Sequence, residues 1–342
     1  MTEPRVSFVV IGLDEAARLG DALASLTAQG LPRHEVEILY VDSGSRDGSP
    51  EIAARAGVDA VLHIERAGAS AARARNAGLA RARGALVQFV DGDTCIAPGW
   101  VAAGSAALAA DPELAGVEGS LVEARPAANL YHAVCELDWP AGEGTVDFVG
   151  GNALYRREAI AAAGGFDERM RVGEEPELGF RLRQAGFGFR RLDHPMAVHD
   201  LDLRGLGDYW TRGRKSGLAC GWVALATGGA TRGYWSERVR ATLVHAAWQV
   251  LPVAAGVAAL PASPRLAAVL VAAPLLALAL LGARKARRVA HARGVGLGRA
   301  LAYGLHAYLY KIPSAVGVLQ ALASRLPPPA PSRAYVAEAP PQ

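Results

Sequence analysis

From Val6 to Val90 the chain alternates short apolar runs with longer stretches of helical spacing, and this alternation restricts the fold more than any other feature. The strand-like runs are Val6 to Ile11, Val36 to Val41, Ala60 to Ile64 and Ala85 to Val90. Between them lie Glu15 to Gln29, Ser49 to Ala56 and Ala69 to Arg83, each long enough for a helix. Such alternation predicts a mostly parallel sheet covered by helices, because parallel neighbours need crossover connections. Leu19, Leu23 and Leu26 recur at three- and four-residue spacing, so the first helix is expected to lay one apolar face on the sheet. A chain of 342 residues can bury a large core, and one large domain with an appendage is the natural division.

The appendage is visible in the composition. Up to about Leu206 the sequence is charged and punctuated like a soluble enzyme, whereas Val239 to Leu281 is rich in Ala, Leu and Val. Two segments stand out there, Ala241 to Leu260 and Leu266 to Gly282. The second carries no charge and is just long enough to cross a bilayer; the first contains His245 and Gln249 but is otherwise apolar. A buried helical hairpin is the alternative in water. Arg232, Arg238 and Arg240 precede the pair, Arg284, Lys285, Arg287 and Arg288 follow it, and Arg265 lies in the connection, so both ends are expected on the cytoplasmic side.

Leu301 to Leu322 is a weaker span, since His306, Lys311 and Pro313 fall within it and a lysine at mid-bilayer costs roughly 3 kcal/mol. Leu301, Leu305, Tyr308, Ile312, Val316 and Leu319 share one side, which predicts an interfacial helix, with a third membrane helix as the alternative. Pro327 to Gln342 reads as a disordered tail. The expected divisions are 1–206, 207–238 as an amphipathic connector, 239–282 as two membrane helices, 283–326 as a basic loop and interfacial helix, and 327–342.

A net charge of +3, with no basic run interleaved with aromatics in the first two hundred residues, disfavours nucleic acid as a partner. Cys95, Cys135 and Cys220 are odd in number and lack metal-ligand spacing; they read as packing residues in a reducing compartment. Val6 to Ile11 is too short for a signal-peptide core.

The chemistry concentrates at Val87 to Thr94, an apolar strand ending in Asp91 and Asp93 around one glycine. Ligands in α/β proteins bind where strands end, and paired carboxylates there can hold a divalent cation against a diphosphate. Alone, Asp-Gly-Asp also suits a plain turn. A second loop, Val41-Asp42-Ser43-Gly44-Ser45-Arg46-Asp47-Gly48-Ser49, leaves another strand's carboxyl end and offers glycines for close approach to a nucleotide.

With Ile11-Gly12-Leu13-Asp14-Glu15, Val41 to Ser45, Ala74-Arg75-Asn76-Ala77-Gly78 and Asp91-Gly92-Asp93 in this order, the chain resembles a family 2 glycosyltransferase of GT-A fold. The resemblance continues through Gly150-Gly151-Asn152, Gly164-Gly165-Phe166-Asp167 and Gly173 to Leu178, about two thirds of the chain. It implies a Rossmann-like GT-A domain followed by a transmembrane hairpin and an interfacial helix, held at a bacterial-type inner membrane with the catalytic domain in the cytoplasm.

By the same resemblance, Asp42 contacts the nucleobase and Arg75 the base or phosphate, with Gly12, Glu15, Asp91, Gly151 and Asn152 also on the donor. Arg73, Arg81 and Arg83 read as solvated. Asp93 is implied to ligate Mg²⁺ or Mn²⁺, with Asp91 near the ribose and metal-bound water. The sequence departs from the family pattern at Ser43, usually aspartate, and at Asp14, usually asparagine, which bears on base preference.

Glu174 and Glu175 precede Pro176, a residue suited to a helix's first turn, and Leu178, Leu182 and Ala185 then share a face with a possible Glu177–Arg181 pair. Glu175 matches the family's catalytic aspartate, and the helix N-terminus is expected to keep it ionised as the base of an inverting transfer. A helix-capping acid without chemistry is the alternative. His199 matches a position where some related transferases bind metal, or is structural; His194 has no such support. Asp208 to Lys215 lies where relatives close over the pyrophosphate, or is an interfacial helix.

The expected activity is transfer from a UDP- or GDP-type sugar to a membrane or lipid-linked acceptor in envelope polysaccharide or glycolipid synthesis. An inactive membrane-anchored nucleotide-sugar binding protein is the alternative. A nucleotidyltransferase is weaker, because no glycine-rich basic loop follows the first strand.

Overall fold

Seven consecutive buried residues make β1 (Val6–Gly12), as a strand covered on both faces requires. The computed structural model describes residues 4–228 and 234–324; the expected tail from Pro327 to Gln342, and Arg232, lie outside them. After β1 come α1 (Leu19–Thr27), β2 (Val36–Asp42), α2 (Ser49–Arg55), β3 (Ala60–His63), α3 (Ala71–Arg81) and β4 (Leu86–Asp91). Then follow β5 (Thr94–Ile96), α4 (Trp100–Ala110), β6 (Leu114–Glu123), α5 (Leu130–Cys135), β7 (Gly144–Thr145), β8 (Leu154–Arg156), α6 (Arg157–Ala162), α7 (Glu174–Gln184) and β9 (Gly188–His199). Five helices close the described chain: α8 (Leu206–Ala226), α9 (Tyr234–Ala259), α10 (Pro264–Arg293), α11 (Leu297–Leu309) and α12 (Lys311–Ser324).

The sheet order is β3-β2-β1-β4-β8-β6-β9-β5, with β7 beside β9. The parallel expectation holds for β3-β2-β1-β4. Beyond β4 the sheet is mixed: β8 is antiparallel to β4 and β6, β6 runs parallel to β9, and β5 pairs antiparallel with β9. Only Gly92 and Asp93 separate β4 from β5, too few residues for a crossover helix, so β5 joins a distant strand instead.

Residues alternate faces along β1. Val9 and Ile11 join Phe89, Ala74, Ala77, Leu178 and Leu182 on one face, while Phe8 and Val10 join Leu19, Leu23, Leu26 and Trp100 on the other. The predicted leucine face of α1 is therefore core, although the helix starts at Leu19 and leaves Glu15 in the preceding turn. In α7, Leu178 and Leu182 are fully buried, Glu177 bonds Arg181 at 2.7 Å, and Ala185 is the C-cap.

The chain forms two compact units. One comprises the described residues up to Ala124 with Trp139–Leu201 and holds the whole sheet; the other comprises Arg125–Asp138 with the described residues from Asp202 onward. In the second unit α9 and α10, of 26 and 30 residues, are long and apolar enough to cross a membrane. At 1.5 Å per residue both exceed the roughly 30 Å of a hydrocarbon core. Only 22% and 17% of their apolar windows are buried, which disfavours a hairpin cored in water. The stretch expected as one interfacial helix is instead two, α11 and α12, broken at Tyr310. Pro313 has no N–H and its ring excludes the carbonyl four residues back, so the helix restarts with the proline in its first turn. His306 is buried, with its ring nitrogens 2.9 Å from Tyr209 Oη and from Asp138 Oδ2.

Candidate active site

Strand register assembles the site. Gly12 lies opposite Asp42 and Ile11 opposite Asp91, so the carboxyl ends of β1, β2 and β4 form one rim. Thr94 pairs with His199, which sets the last residue of β9 beside Asp93. A cleft of about 310 Å³ opens along this rim, lined by Gly12, Glu15, Ser43, Asp91, Asp93 and His199 among others.

At one end Asp42 is almost fully buried, and its Oδ2 accepts hydrogen bonds from the backbone N–H of Gly44 at 2.9 Å and Ser45 at 3.0 Å. Gly44 has φ +82°, and a side chain there would strike Arg66. Asp14, φ +59°, accepts from the Arg46 N–H and forms a 2.7 Å ion pair with Arg66. Aspartate tolerates that backbone, and its second oxygen gives Arg66 a charged partner that asparagine would not.

In the middle, Arg75 is 3% exposed and joins three carboxylates. Its Nη1 donates to Glu174 at 2.7 Å and Glu175 at 3.2 Å, and its Nη2 donates to Asp91 at 3.1 Å. Burial alone would lower its pKa, but Glu175, Asp91 and Glu174 outweigh it and the shift is upward. Of the three neighbours read as solvated, Arg81 and Arg83 are exposed and Arg73 is half-buried, and Arg83 also pairs with the buried Glu37 at 2.7 Å. A Cβ on Gly151 would collide with Arg75 Nη2, so this glycine lets the loop pass over the guanidinium. Asn152 braces Asp91 twice: its Nδ2 donates to Asp91 Oδ2 at 3.0 Å, and its Oδ1 accepts the Asp91 N–H at 2.8 Å.

Glu174 is buried against Arg75, whereas the Glu175 side chain is 20% exposed. Both start α7 after Gly173, whose φ is +86°. The helix N-terminus was expected to keep Glu175 ionised; burial, and then the Glu174 charge, outweigh it and push the carboxyl up to about 7. Burial, and then Asp93, likewise raise Glu15 to about 7 against the pull of Arg18, which bonds it at 3.1 Å.

At the other end, Asp93 accepts from Thr94 Oγ1 at 3.3 Å and lies 3.6 Å from His199 Nε2. Burial raises its pKa, with His199 opposing and Asp91 adding to the rise. His199 Nδ1 is buried without a hydrogen-bond partner. Both Asp91 oxygens are engaged by Arg75 and Asn152, so Asp93 and His199 have more capacity for an ion.

The sequence reading missed the supports. Gln88, fully buried, donates to the Asn152 carbonyl at 2.7 Å and accepts from Trp100 Nε1 at 2.8 Å. A lone amide inside Val-Gln-Phe-Val was its signal. Glu118 accepts the Gly150 N–H at 3.0 Å and pairs with Arg191, a link between strands with no local signature.

The glycosyl transferase family 2 model matches residues 7–163, and that of glycosyl transferase family group 2 matches residues 86–281. Glycosyltransferase AglE of Haloferax volcanii is 27% identical over 195 residues, covering 54% of this chain and 64% of AglE. The pre-mycofactocin glycosyltransferase of Mycobacterium tuberculosis is 31% identical over 179 residues, 48% of this chain and 37% of that protein. The matches thus span less than two thirds of these curated relatives. The solved structure of mannosyltransferase PcManGT from Pyrobaculum calidifontis, in complex with GDP-Man and Mn²⁺, shares the fold with a TM-score of 0.64 at 24% identity, over 93% of this chain and 88% of that one.

Proposed function

Because the chain belongs to glycosyl transferase family group 2, we propose that it transfers a sugar from a UDP- or GDP-type donor to a lipid-linked acceptor, with inversion at the anomeric carbon. The observation that carries this reading is the joining of Asp91 and Glu175 through Arg75 beside a cleft that also holds Asp93. A donor-side carboxylate, Asp91, and an acceptor-side base are thereby tied to one buried cation. The names of the relatives support the transferase class, and PcManGT supports the fold.

Asp42 and the loop after it would hold the base, with the Gly44 and Ser45 N–H groups fixing the carboxylate that faces it. Asp93 with His199, and Asp91 behind them, fit Mg²⁺ or Mn²⁺: the carboxylates suit either ion, and a half-buried imidazole whose Nε2 faces a carboxylate suits Mn²⁺. Such an ion, when bound, would offset charge on the departing nucleoside diphosphate. Glu175 would accept the proton of the attacking hydroxyl, its pKa near neutrality matching it to that task. Arg75 would hold Glu175 and Asp91 in fixed relation through that step.

The apolar faces of α9 and α10 support a membrane hairpin, and the basic residues at its ends support a cytoplasmic catalytic domain at a bacterial-type inner membrane. An enzyme held there meets lipid-linked acceptors without extracting them from the bilayer.

The test is nucleoside diphosphate release from UDP-, GDP- and dTDP-sugars in detergent with bacterial lipid extract and Mn²⁺ or Mg²⁺, comparing wild type with Glu175→Gln. Release with one donor, lost in the variant, is expected. Metal-dependent donor binding without release would favour an inactive binding protein, and no binding of any donor would overturn the assignment.

A further inference from the structure

The backbone of His199 is fixed on both sides. In β9 it lies opposite Thr94 of β5 and opposite Glu123 of β6, and its carbonyl accepts the Ala124 N–H at 3.0 Å. The imidazole is held differently. Its Nε2 lies 3.6 Å from Asp93 Oδ1, while Nδ1 is shut off from water and has no hydrogen-bond partner among the described residues. A ring stands beside it instead: the indole of Trp139 is perpendicular to the imidazole, at 90°, with centroids 6.0 Å apart.

A neutral imidazole carries one proton and one lone pair on its two nitrogens. With the proton on Nε2, no lone pair would face Asp93 and a buried lone pair on Nδ1 would go unmet. With the proton on Nδ1, the Nε2 lone pair stays on the side of Asp93, as ligation of an ion requires. Ligating histidines normally donate their second N–H to a carboxylate, a carbonyl or water. The described residues offer none of these to His199 Nδ1. An aromatic face, however, carries partial negative charge, and an N–H directed at it makes a weak hydrogen bond.

We propose that Trp139 is a positioning residue of the candidate metal centre: its indole face accepts the Nδ1–H of His199, fixing that tautomer and leaving the Nε2 lone pair toward Asp93. The role rests on the reading of Asp93 and His199 as a metal pair and gives that pair its outer support. Trp139 is half-buried and precedes Pro140, whose ring biases the preceding backbone to an extended form and so narrows where the indole can lie. Mg²⁺ is bound through oxygens and water, whereas Mn²⁺ also accepts imidazole. Trp139 therefore sets which ion the site prefers more than whether it holds one.

The experiment uses the full chain in detergent with isotope-labelled histidine. Long-range proton–nitrogen NMR at about pH 8, above the ordinary histidine pKa, reads the tautomer of His199, whose signals are identified by their loss in His199→Gln. Paramagnetic resonance of free Mn²⁺ gives the Mn²⁺ affinity, and competition gives that of Mg²⁺. Wild type is expected to show the Nδ1–H tautomer. Trp139→Leu, which keeps apolar bulk without an aromatic face, should lose that tautomer and about tenfold in Mn²⁺ affinity, with Mg²⁺ affinity changed by less than about twofold. Trp139→Phe should retain both properties. In a His199→Gln background, Trp139→Leu should have no further effect on Mn²⁺.

An Nε2–H tautomer in wild type would overturn the proposal without any Trp139 variant. So would a Trp139→Leu protein with unchanged tautomer and Mn²⁺ affinity, or an equal loss of both ions with a lowered melting curve, which would make Trp139 a packing residue only. The tautomer is read without metal, donor or turnover. A Trp139-dependent Nδ1–H tautomer in a protein that binds no Mn²⁺ would refute the metal reading of His199 and leave the ring contact standing.

Discussion

The two units of this chain treat their apolar residues in opposite ways. In the sheet-bearing unit the largest apolar residues are hidden, with Phe8, Phe89, Trp100, Leu154 and Tyr155 all within 1% of complete burial, while the buried polar residues Asp42, Arg75, Asn152 and Glu174 are held in hydrogen bonds. In the helical unit many large apolar residues of α9 and α10 face outward: Leu251, Val257, Val269, Leu276 and Leu280 are each more than 60% exposed. Its close contacts are made by glycines, Gly217 on Ser314 and Gly304 on Gly282, where helix backbones touch. Water rewards the first arrangement and hydrocarbon the second, because lipid chains offer no hydrophobic drive and leave packing of small residues to join helices. Polar substitutions should therefore act on chemistry in one unit, and apolar ones should act differently in the two.

Asp93→Ala is expected to have the largest effect. The loss removes a carboxylate that accepts from one hydroxyl and faces one imidazole, so turnover should fall about a thousandfold, roughly 4 kcal/mol of barrier. The melting curve of the protein in detergent should barely move. A matching fall in melting temperature would break the comparison, by showing that the cleft's carboxylates hold the fold together.

Asn152→Ala comes next. It strips both hydrogen bonds that brace Asp91 while leaving that carboxylate in place, and supports of this kind typically cost ten- to a hundredfold. The fall should be in kcat more than in KM. Asn152→Asp restores an acceptor for the Asp91 N–H but sets a charge beside Asp91, so it should rescue nothing.

The pH profile sharpens the same point. Glu175 works as a base only when ionised, and its carboxyl sits near 7, so kcat/KM should climb about tenfold per unit below that value and level off above it. Glu175→Gln should remove the limb together with most of the activity. A limb centred near the ordinary glutamate value would mean that substrate binding restores the ionised form the helix N-terminus favours.

Much of this unit was legible in sequence. β1 to β4 and the helices between them followed from periodicity, and the resemblance placed Asp91, Asp93 and Glu175 because each sits in a local motif. The three-residue β5 and two-residue β7 escaped because strands so short carry no period. The elevated pKa of Glu175 escaped for a different reason: its burial beside Glu174 and Arg75 joins residues a hundred positions apart. In the helical unit the outward apolar faces were legible from composition. The break at Tyr310 was signalled by Pro313, read there as an interruption and found to be a restart.

The smallest expected effect tests the solvent contrast most directly. Leu178 is fully buried against the sheet, and Leu178→Ala should cost about 2–5 kcal/mol, because the lost contacts leave a cavity the strands cannot close. Leu276 of α10 is 62% exposed, with no protein around most of its side chain to leave a hole. Leu276→Ala should cost less than about 1 kcal/mol, the difference in insertion free energy between the two side chains at most. Equilibrium unfolding or thermal melting in nanodiscs measures both. A cost at Leu276 equal to that at Leu178 would mean that another protein surface, a second copy or a partner, covers this face, and the hairpin would then be a core helix pair whose apolar side had been mistaken for lipid contact.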